Sequence, residues 1–366
     1  MAGTQAILRY RLGQRVTRPS VTYRLVPYAA EWTQAVARCN FRLLALGKVP
    51  FLLPARPPET GAVRREHWLV VGCDDEVRGG CLLQFHSAWL ADETVEAANL
   101  QSPLSEGIGN REHAAVAPYM MRALTHKCPY IYSVGGGGED MPYMRLSKAL
   151  RWSVSTVPFF FRVLNGRRFL RHMQPLQRRR GVGLLARIAA GIPFAADLAF
   201  RQVHRVRLRV PPSSAGGAIP AWSSIRSQYG FAVERTPHLL DALYPLTDPR
   251  FHRISVPGGL GVLAVRDFRQ DKYFGDLRVV TLVEMLLSSG AAGELLSAVL
   301  EFAGETGADL LVTNQSAPDL CAALRSAGWL KHASNYSLSL APALAARVGQ
   351  RPVYVNRGDG DGLLNL

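Results

Sequence analysis

RVVTLVEMLL, residues 278–287, followed by SSGAAG, residues 288–293, and a helix-patterned run to Trp329, is the stretch that decides how this 366-residue chain is read. Val279 to Leu287 is rich in β-branched and large aliphatic residues, the composition of a buried strand. From Glu294 to Gly304 the apolar residues Leu295, Val299 and Phe302 recur at intervals of four and three, which is one face of a helix. Asp309 to Thr313 is a second short strand. Pro318 to Ala327 is a second helix, begun by proline and stopped by Gly328. A strand that turns through Gly and Ser into a helix start gathers free backbone N–H groups and the positive end of the helix dipole at one place. Such a place suits a phosphate or pyrophosphate.

Working outward, the same order of elements occurs twice. In the first half a strand (Val21 to Val26) precedes a helix (Ala29 to Leu46). A hairpin (His67 to Gly72, Gly79 to Trp89) then turns over Cys73 to Glu76. A long strand (Glu93 to Leu104), a polar loop (Ser105 to His113) and a helix (Ala114 to Lys127) come next. A strand (Tyr130 to Val134), a helix (Pro142 to Leu150) and an aromatic strand (Val154 to Leu164) complete this half. In the second half Phe231 to Leu243 is expected as the first helix. Arg253 to Val256 and Gly261 to Phe268 are a hairpin over Pro257-Gly258-Gly259. The opening stretch comes next, then a strand at Ser337 to Leu340. The expected organisation is a basic lead-in (1–20), an N-terminal unit (21–165), an Arg-rich helical linker (166–220), a C-terminal unit (221–345) and a tail (346–366). The fold class is α/β (α+β), each unit a mixed, mostly antiparallel sheet flanked by helices.

Lysine and arginine total 43 against 28 acids, a formal charge of +15, so an anionic partner is expected. Twelve arginines and one acid, Asp197, fall between Arg162 and Arg209. That segment has three readings: a solvated linker, a surface helix on anionic lipid built on Leu184 to Val203, and a tRNA-binding face. The hydrophobic fraction of 48% excludes a wholly disordered chain. No uninterrupted apolar run is long enough for a transmembrane helix. Five cysteines without CxxC or Cys/His spacing point to reduced thiols, a cytoplasmic setting and no metal.

The pattern resembles the GNAT superfamily of acyl-CoA-dependent N-acyltransferases, in tandem. In that family a strand splays from its neighbour into a loop of type Arg/Gln-x-x-Gly-x-Gly/Ala, whose amides hold the pyrophosphate of the acyl-CoA. Leu287-Ser288-Ser289-Gly290-Ala291-Ala292 occupies that place, keeping the Gly and the final Ala, with Leu287 in the Arg/Gln position. Asn314 and Gly328-Trp329 match two later family positions. Leu324 stands where the family has its general-acid tyrosine. The chain is similar to a group of bacterial two-domain GNAT-like proteins, which are linked to cell-surface polysaccharide or secondary metabolism.

The resemblance implies acetyl-CoA or another acyl-CoA as co-substrate. Its contacts would come from Met285, Leu286, Leu287, Ser288, Ser289, Gly290, Ala291, Ala292, Gly293 and Asn314. Amine acylation needs a polarised thioester carbonyl and a deprotonated amine. The strand backbone at Glu284 to Leu286 supplies the first. Candidate carboxylates for the second are Glu284, the only acid in an apolar strand, Glu106 at the matching place in the first half, and Asp359 if the tail folds back. The acceptor is then an amine of a sugar, a peptide or a metabolite. Two alternatives keep the fold: an aminoacyl-tRNA-dependent transferase, and a non-catalytic interaction module that contacts a membrane surface.

Overall fold

The computed structural model describes residues 23–47, 51–57, 63–178, 222–288 and 290–360. The lead-in 1–20, the apolar segment 184–203, most of the arginine-rich stretch and the linker 211–217 lie outside the described residues, and the lipid and tRNA readings fall there with them.

Two sheets carry the fold. The first contains β1 (Arg24–Pro27), β2 (Arg65–Val71), β3 (Val77–Leu90), β4 (Glu93–Ser105), β5 (Ile131–Gly135), β14 (Ser337–Leu340) and β6 (Ser153–Thr156), in that spatial order. β8 (Phe231–Val233) pairs with the far end of β3 and with β15 (Val353–Tyr354). The second sheet has the order β13 (Leu330–His332), β7 (Phe159–Val163), β12 (Leu310–Asn314), β11 (Arg278–Leu287), β10 (Gly259–Asp267), β9 (Phe251–Val256). Helices flank both. Val116–Lys127 buries Val116, Met120, Met121 and Leu124. Ala292–Glu305 buries Leu295, Leu296 and Val299, which share one core cluster with Leu260 and Val262 of β10. The architecture is therefore the expected pair of mixed, mostly antiparallel sheets with helices.

The local chemistry of the turns is as expected. β9 and β10 meet across Pro257-Gly258, with Gly258 at φ 72°. β2 and β3 meet across Cys73 to Glu76, with Asp75 in the left-handed region at φ 58°.

Four expectations are corrected. Phe231 to Leu243 is not one helix. Phe231, Ala232 and Val233 are wholly buried and pair as β8, and a short helix Pro237–Leu243 starts only after Thr236, whose hydroxyl caps it. Val154 to Leu164 is not one strand. Val157-Pro158 interrupts it, because proline has no N–H to give a ladder and holds its neighbour extended. β6 before the break belongs to the first sheet and β7 after it to the second. The strand at Ser337 to Leu340 lies in the first sheet, between β5 and β6. Finally, the chain beyond 340 holds a helix, Pro342–Val348, then β15 and a 3-10 turn, Arg357–Asp359.

No described helix is long and apolar enough to cross a membrane. All five cysteines are unpaired.

Candidate active site

Each sheet has one parallel pair at its centre, and in each the longer strand outruns its partner. β4 pairs with β5 only at Ala98↔Ile131 and Asn99↔Tyr132. β11 pairs with β12 at Val279↔Leu310, Val280↔Leu311 and Thr281↔Val312, then continues to Leu287 alone. The cause of the second departure is visible in the register with β10. Leu263 faces Leu282 and Val262 faces Glu284, so Val283 is an extra residue, a β-bulge. A bulge bends its strand and re-aims the residues on its far side. There Ser288 N–H donates to Gly258 O at 2.8 Å on the β10 side. Alternation along the strand then turns the amides of Met285 and Leu287 to the gap side, and the Met285 carbonyl there accepts from the Tyr354 hydroxyl at 3.0 Å.

The loop after β11 is open. Gly290 sits at φ 88°, and a Cβ placed on Gly290 or Gly293 would meet nothing within 4 Å. Ala291 offers no side-chain cap to the helix Ala292–Glu305, whose first internal bond runs from Leu295 N–H to the Ala291 carbonyl. Among the described residues the amides of Ala292, Gly293 and Glu294 have no partner, and they stand at the positive end of the helix. Ser289 lies outside the described residues. Glu294, in the same turn, adds a negative charge that works against an anion.

The loop after β4 is closed upon itself. Ser105 Oγ takes the Gly107 N–H at 3.0 Å, the Glu106 carbonyl takes those of Gly109 and Asn110, and Asn110 Oδ1 takes that of Glu112 at 3.0 Å. A Cβ on Gly107 would lie 2.6 Å from the His113 carbonyl oxygen. Of the two loops, only the one after β11 leaves room and donors for a phosphate.

Two of the three candidate carboxylates come together. Glu284, 1% exposed, accepts from Arg235 Nε at 2.9 Å, from the Tyr244 hydroxyl at 3.2 Å and from Asn356 Nδ2. Asp359 accepts from Arg235 Nη2 at 2.7 Å and from the Asn356 N–H at 3.0 Å. Burial pushes the Glu284 carboxyl up, and Arg235 opposes it. Burial works against the charge on Arg235, but Asp359 and Glu284 outweigh it and hold the guanidinium above its ordinary value. Burial beside Glu284 also raises Tyr244 and Tyr354, which therefore stay protonated and donate. With three donors already on it, Glu284 ties β11 to the 356–359 turn.

The tail is held in the cleft from both sheets. Asn99 Nδ2 of β4 donates to the Asp359 carbonyl at 2.7 Å and Gln101 Nε2 to that of Gly360 at 3.1 Å. On the opposite side Ser316 N–H reaches the Val355 carbonyl at 2.9 Å.

Glu106 belongs to a separate cluster, taking hydrogen bonds from Arg42 Nε and from Arg78 Nη1 at 3.0 Å, with His113 Nε2 at 3.6 Å. Asn314 is buried at the end of β12, with Oδ1 on Arg357 and Nδ2 on Ser334 Oγ at 3.3 Å. Met285 and Leu286 are wholly buried, and Leu287 and Ser288 half-buried. Sequence reasoning missed Arg235, Tyr244, Tyr354, Asn356 and Arg357. Asn356-Arg357-Gly358-Asp359 carried a usable signal, an Asn three residues before an acid, which is a capping box in the structure. Among the described residues no group of three or more His, Cys, Asp or Glu side chains is placed to hold a metal.

No family model matches the chain, and no curated protein matches it. Solved structures do. A GCN5-related N-acetyltransferase from Kribbella flavida is 15% identical over 90% of this chain and 74% of its own, at a TM-score of 0.47. Saccharomyces cerevisiae N-myristoyltransferase with bound myristoyl-CoA is 9% identical over 88% and 79%, at 0.44. A GCN5-related N-acetyltransferase from Anabaena variabilis is 8% identical over 87% and 72%, at 0.45. Independently of those likenesses, a parallel pair that parts into a loop and a helix start, present once in each sheet, is the arrangement that the resemblance implied. The fold is GNAT-like, in two copies.

Proposed function

We propose that this chain transfers an acyl group from an acyl-CoA thioester to an amine of its acceptor. The carrying observation is the bulge at Val283, which parts β11 from β12 and leads into an open loop and a helix start whose first three amides have no partner among the described residues. In this reading the pyrophosphate rests on the amides of Ala292 to Glu294. The pantetheine arm runs along the gap edge of β11, and the Met285 or Leu287 N–H polarises the thioester carbonyl. Leu287 and Leu324 add no polar side chain, so binding rests on backbone donors. The first-half copy has spent its loop amides internally. It contributes β4, whose Asn99 and Gln101 fix the tail, and so shapes the acceptor side.

Glu284 and Asp359 serve here as positioning residues, joined through Arg235. As the new C–N bond forms and the thioester C–S bond breaks, the amine's proton passes to water and the departing CoA thiolate takes up a proton from water.

A melting series with acetyl-CoA and longer acyl-CoA esters tests the donor. A ligand at 100 times its Kd stabilises the folded state by about 2.7 kcal/mol, which moves the melting temperature by several degrees. The expected result is a rise that grows with the logarithm of ester concentration and is greater than that given by adenosine diphosphate. Unchanged melting with every ester would remove the proposal.

A further inference from the structure

Arg357 is held by its backbone and only partly matched at its side chain. The Asn356 side chain accepts from the Gly358 N–H at 2.9 Å, and the Arg357 carbonyl accepts from the Tyr336 hydroxyl at 3.0 Å. Its Nη1 donates to Asn314 Oδ1 at 3.0 Å. Its Nε is buried and has no acceptor, and among the described residues no carboxylate lies within ion-pair distance of it. The contrast is with Arg235, in the same cleft, which is matched by two carboxylates. Burial lowers the pKa of Arg357, Tyr336 opposes that, and the nearby charge of Arg266 adds to it. A guanidinium nevertheless stays charged. The guanidinium is half-buried, with its Nε closed off from water and no counter-ion beside it among the described residues, and such a poorly solvated donor points to an occupant.

Three features say what that occupant is. One of the five guanidinium donors is used on Asn314, which leaves the Nε/Nη2 edge. That edge presents two parallel N–H bonds, the fork that matches a planar carboxylate. Asn314 is itself fixed, since its Nδ2 reaches Ser334 Oγ at 3.3 Å and the Pro158 carbonyl at 3.4 Å. The fork is therefore aimed before any ligand arrives. It also stands beside the gap, because Asn314 ends β12 and Asn356, the preceding residue, is bonded to Glu284 of β11.

The geometry points to Arg357 as a recognition residue for a carboxylate carried by the acceptor. The acceptor is then an amino-acid-like or acidic amine rather than a simple amine, and its carboxylate anchors it next to the gap between β11 and β12. The word acceptor rests on the acyltransferase reading. The carboxylate site stands without it.

The test is melting of the full chain and of Arg357→Gln and Arg357→Lys at constant ionic strength, with acetate, glutamate, phosphate or ethanolamine against chloride. Acetate and glutamate are expected to raise the wild-type melting temperature and ethanolamine to leave it unchanged. Arg357→Gln should lose the response, and Arg357→Lys should retain part of it. Without added anion, Arg357→Gln should melt no lower than wild type, since it removes an unmatched charge and keeps a donor for Asn314. Absence of a carboxylate effect in the wild type would overturn the inference, as would an effect confined to phosphate. So would a steep loss of stability in Arg357→Gln, the mark of a structural arginine. Acyl-CoA melting of the same proteins reports the donor site separately. A carboxylate effect without a CoA effect removes the acyltransferase reading and keeps the site, and the reverse removes only the site.

Discussion

His86 shows what a single residue in the cleft does to the whole. It lies on β3 facing the interior, with Nε2 2.9 Å from Gln84 Nε2 and Nδ1 without a partner. Burial, with Arg235 and Arg65 nearby, takes its pKa from 6.5 down to about 3. Between those two values the unfolded chain binds a proton there and the folded chain does not. Stability should therefore fall as pH falls through that window, by about 1.4 kcal/mol per pH unit for this one group. Urea unfolding at pH 7 and pH 5 of wild type and of His86→Gln measures it. Wild type is expected to lose about 2 kcal/mol more than the variant between the two conditions, and equal losses would show that His86 titrates normally. At this scale the sequence was legible where a residue was out of character. Glu284 stood out as the only acid in an apolar strand. Its counter-ion Arg235 did not, because nothing in the order of residues says that a segment beyond 230 packs against β11 across the cleft. Glu106 stood out by position, yet Arg42 and Arg78 consume it.

Elements were legible wherever a period and a terminating residue coincided. The helix Ala292–Glu305, the helix Pro318–Ser326 and both hairpins are of that kind. The bulge at Val283 was not legible, since an extra residue in a run of Val and Leu leaves the pattern apolar throughout. It is nonetheless what opens the gap. β8 was hidden for the same reason, as a three-residue strand too short to show alternation. The start of the helix Ala292–Glu305 can be probed at Gly293, its second residue. Nothing within 4 Å opposes a methyl group there, and alanine favours a helix over glycine by roughly 0.5–1 kcal/mol. Gly293→Ala should thus melt slightly higher than wild type when free. The same methyl stands over the amides that the donor's phosphates would use, so the acyl-CoA-induced rise should shrink. A variant that is stabilised and also keeps the full CoA response would place the phosphates elsewhere.

At the scale of the molecule the two halves are joined by exchange. A division of the chain near 165 and 221 leaves β7, from the first half, between β12 and β13 of the second sheet. It leaves β14, from the second half, between β5 and β6 of the first. Val157-Pro158 and the segment from Trp329 to Tyr336 are the crossing points, and Val157 N–H donates to the Tyr336 carbonyl at 2.8 Å where they pass. Each sheet therefore lacks an interior strand without the other half, and an open interior edge leaves a row of unpaired backbone groups. The tail adds a third tie, since it is fixed to β11 through Arg235, Glu284 and Asp359 and to β4 of the first half through the Asn99 and Gln101 amides on the Asp359 and Gly360 carbonyls. The halves must then fold as one unit. A fragment of residues 1–178 should show no cooperative melting by itself, should bind a dye for exposed apolar surface, and should regain a sharp transition when co-expressed with residues 179–366. A sharp melting transition for the isolated fragment, at the temperature of the full chain, would mean that the exchanged strands are dispensable and that the coupling lies only in the tail.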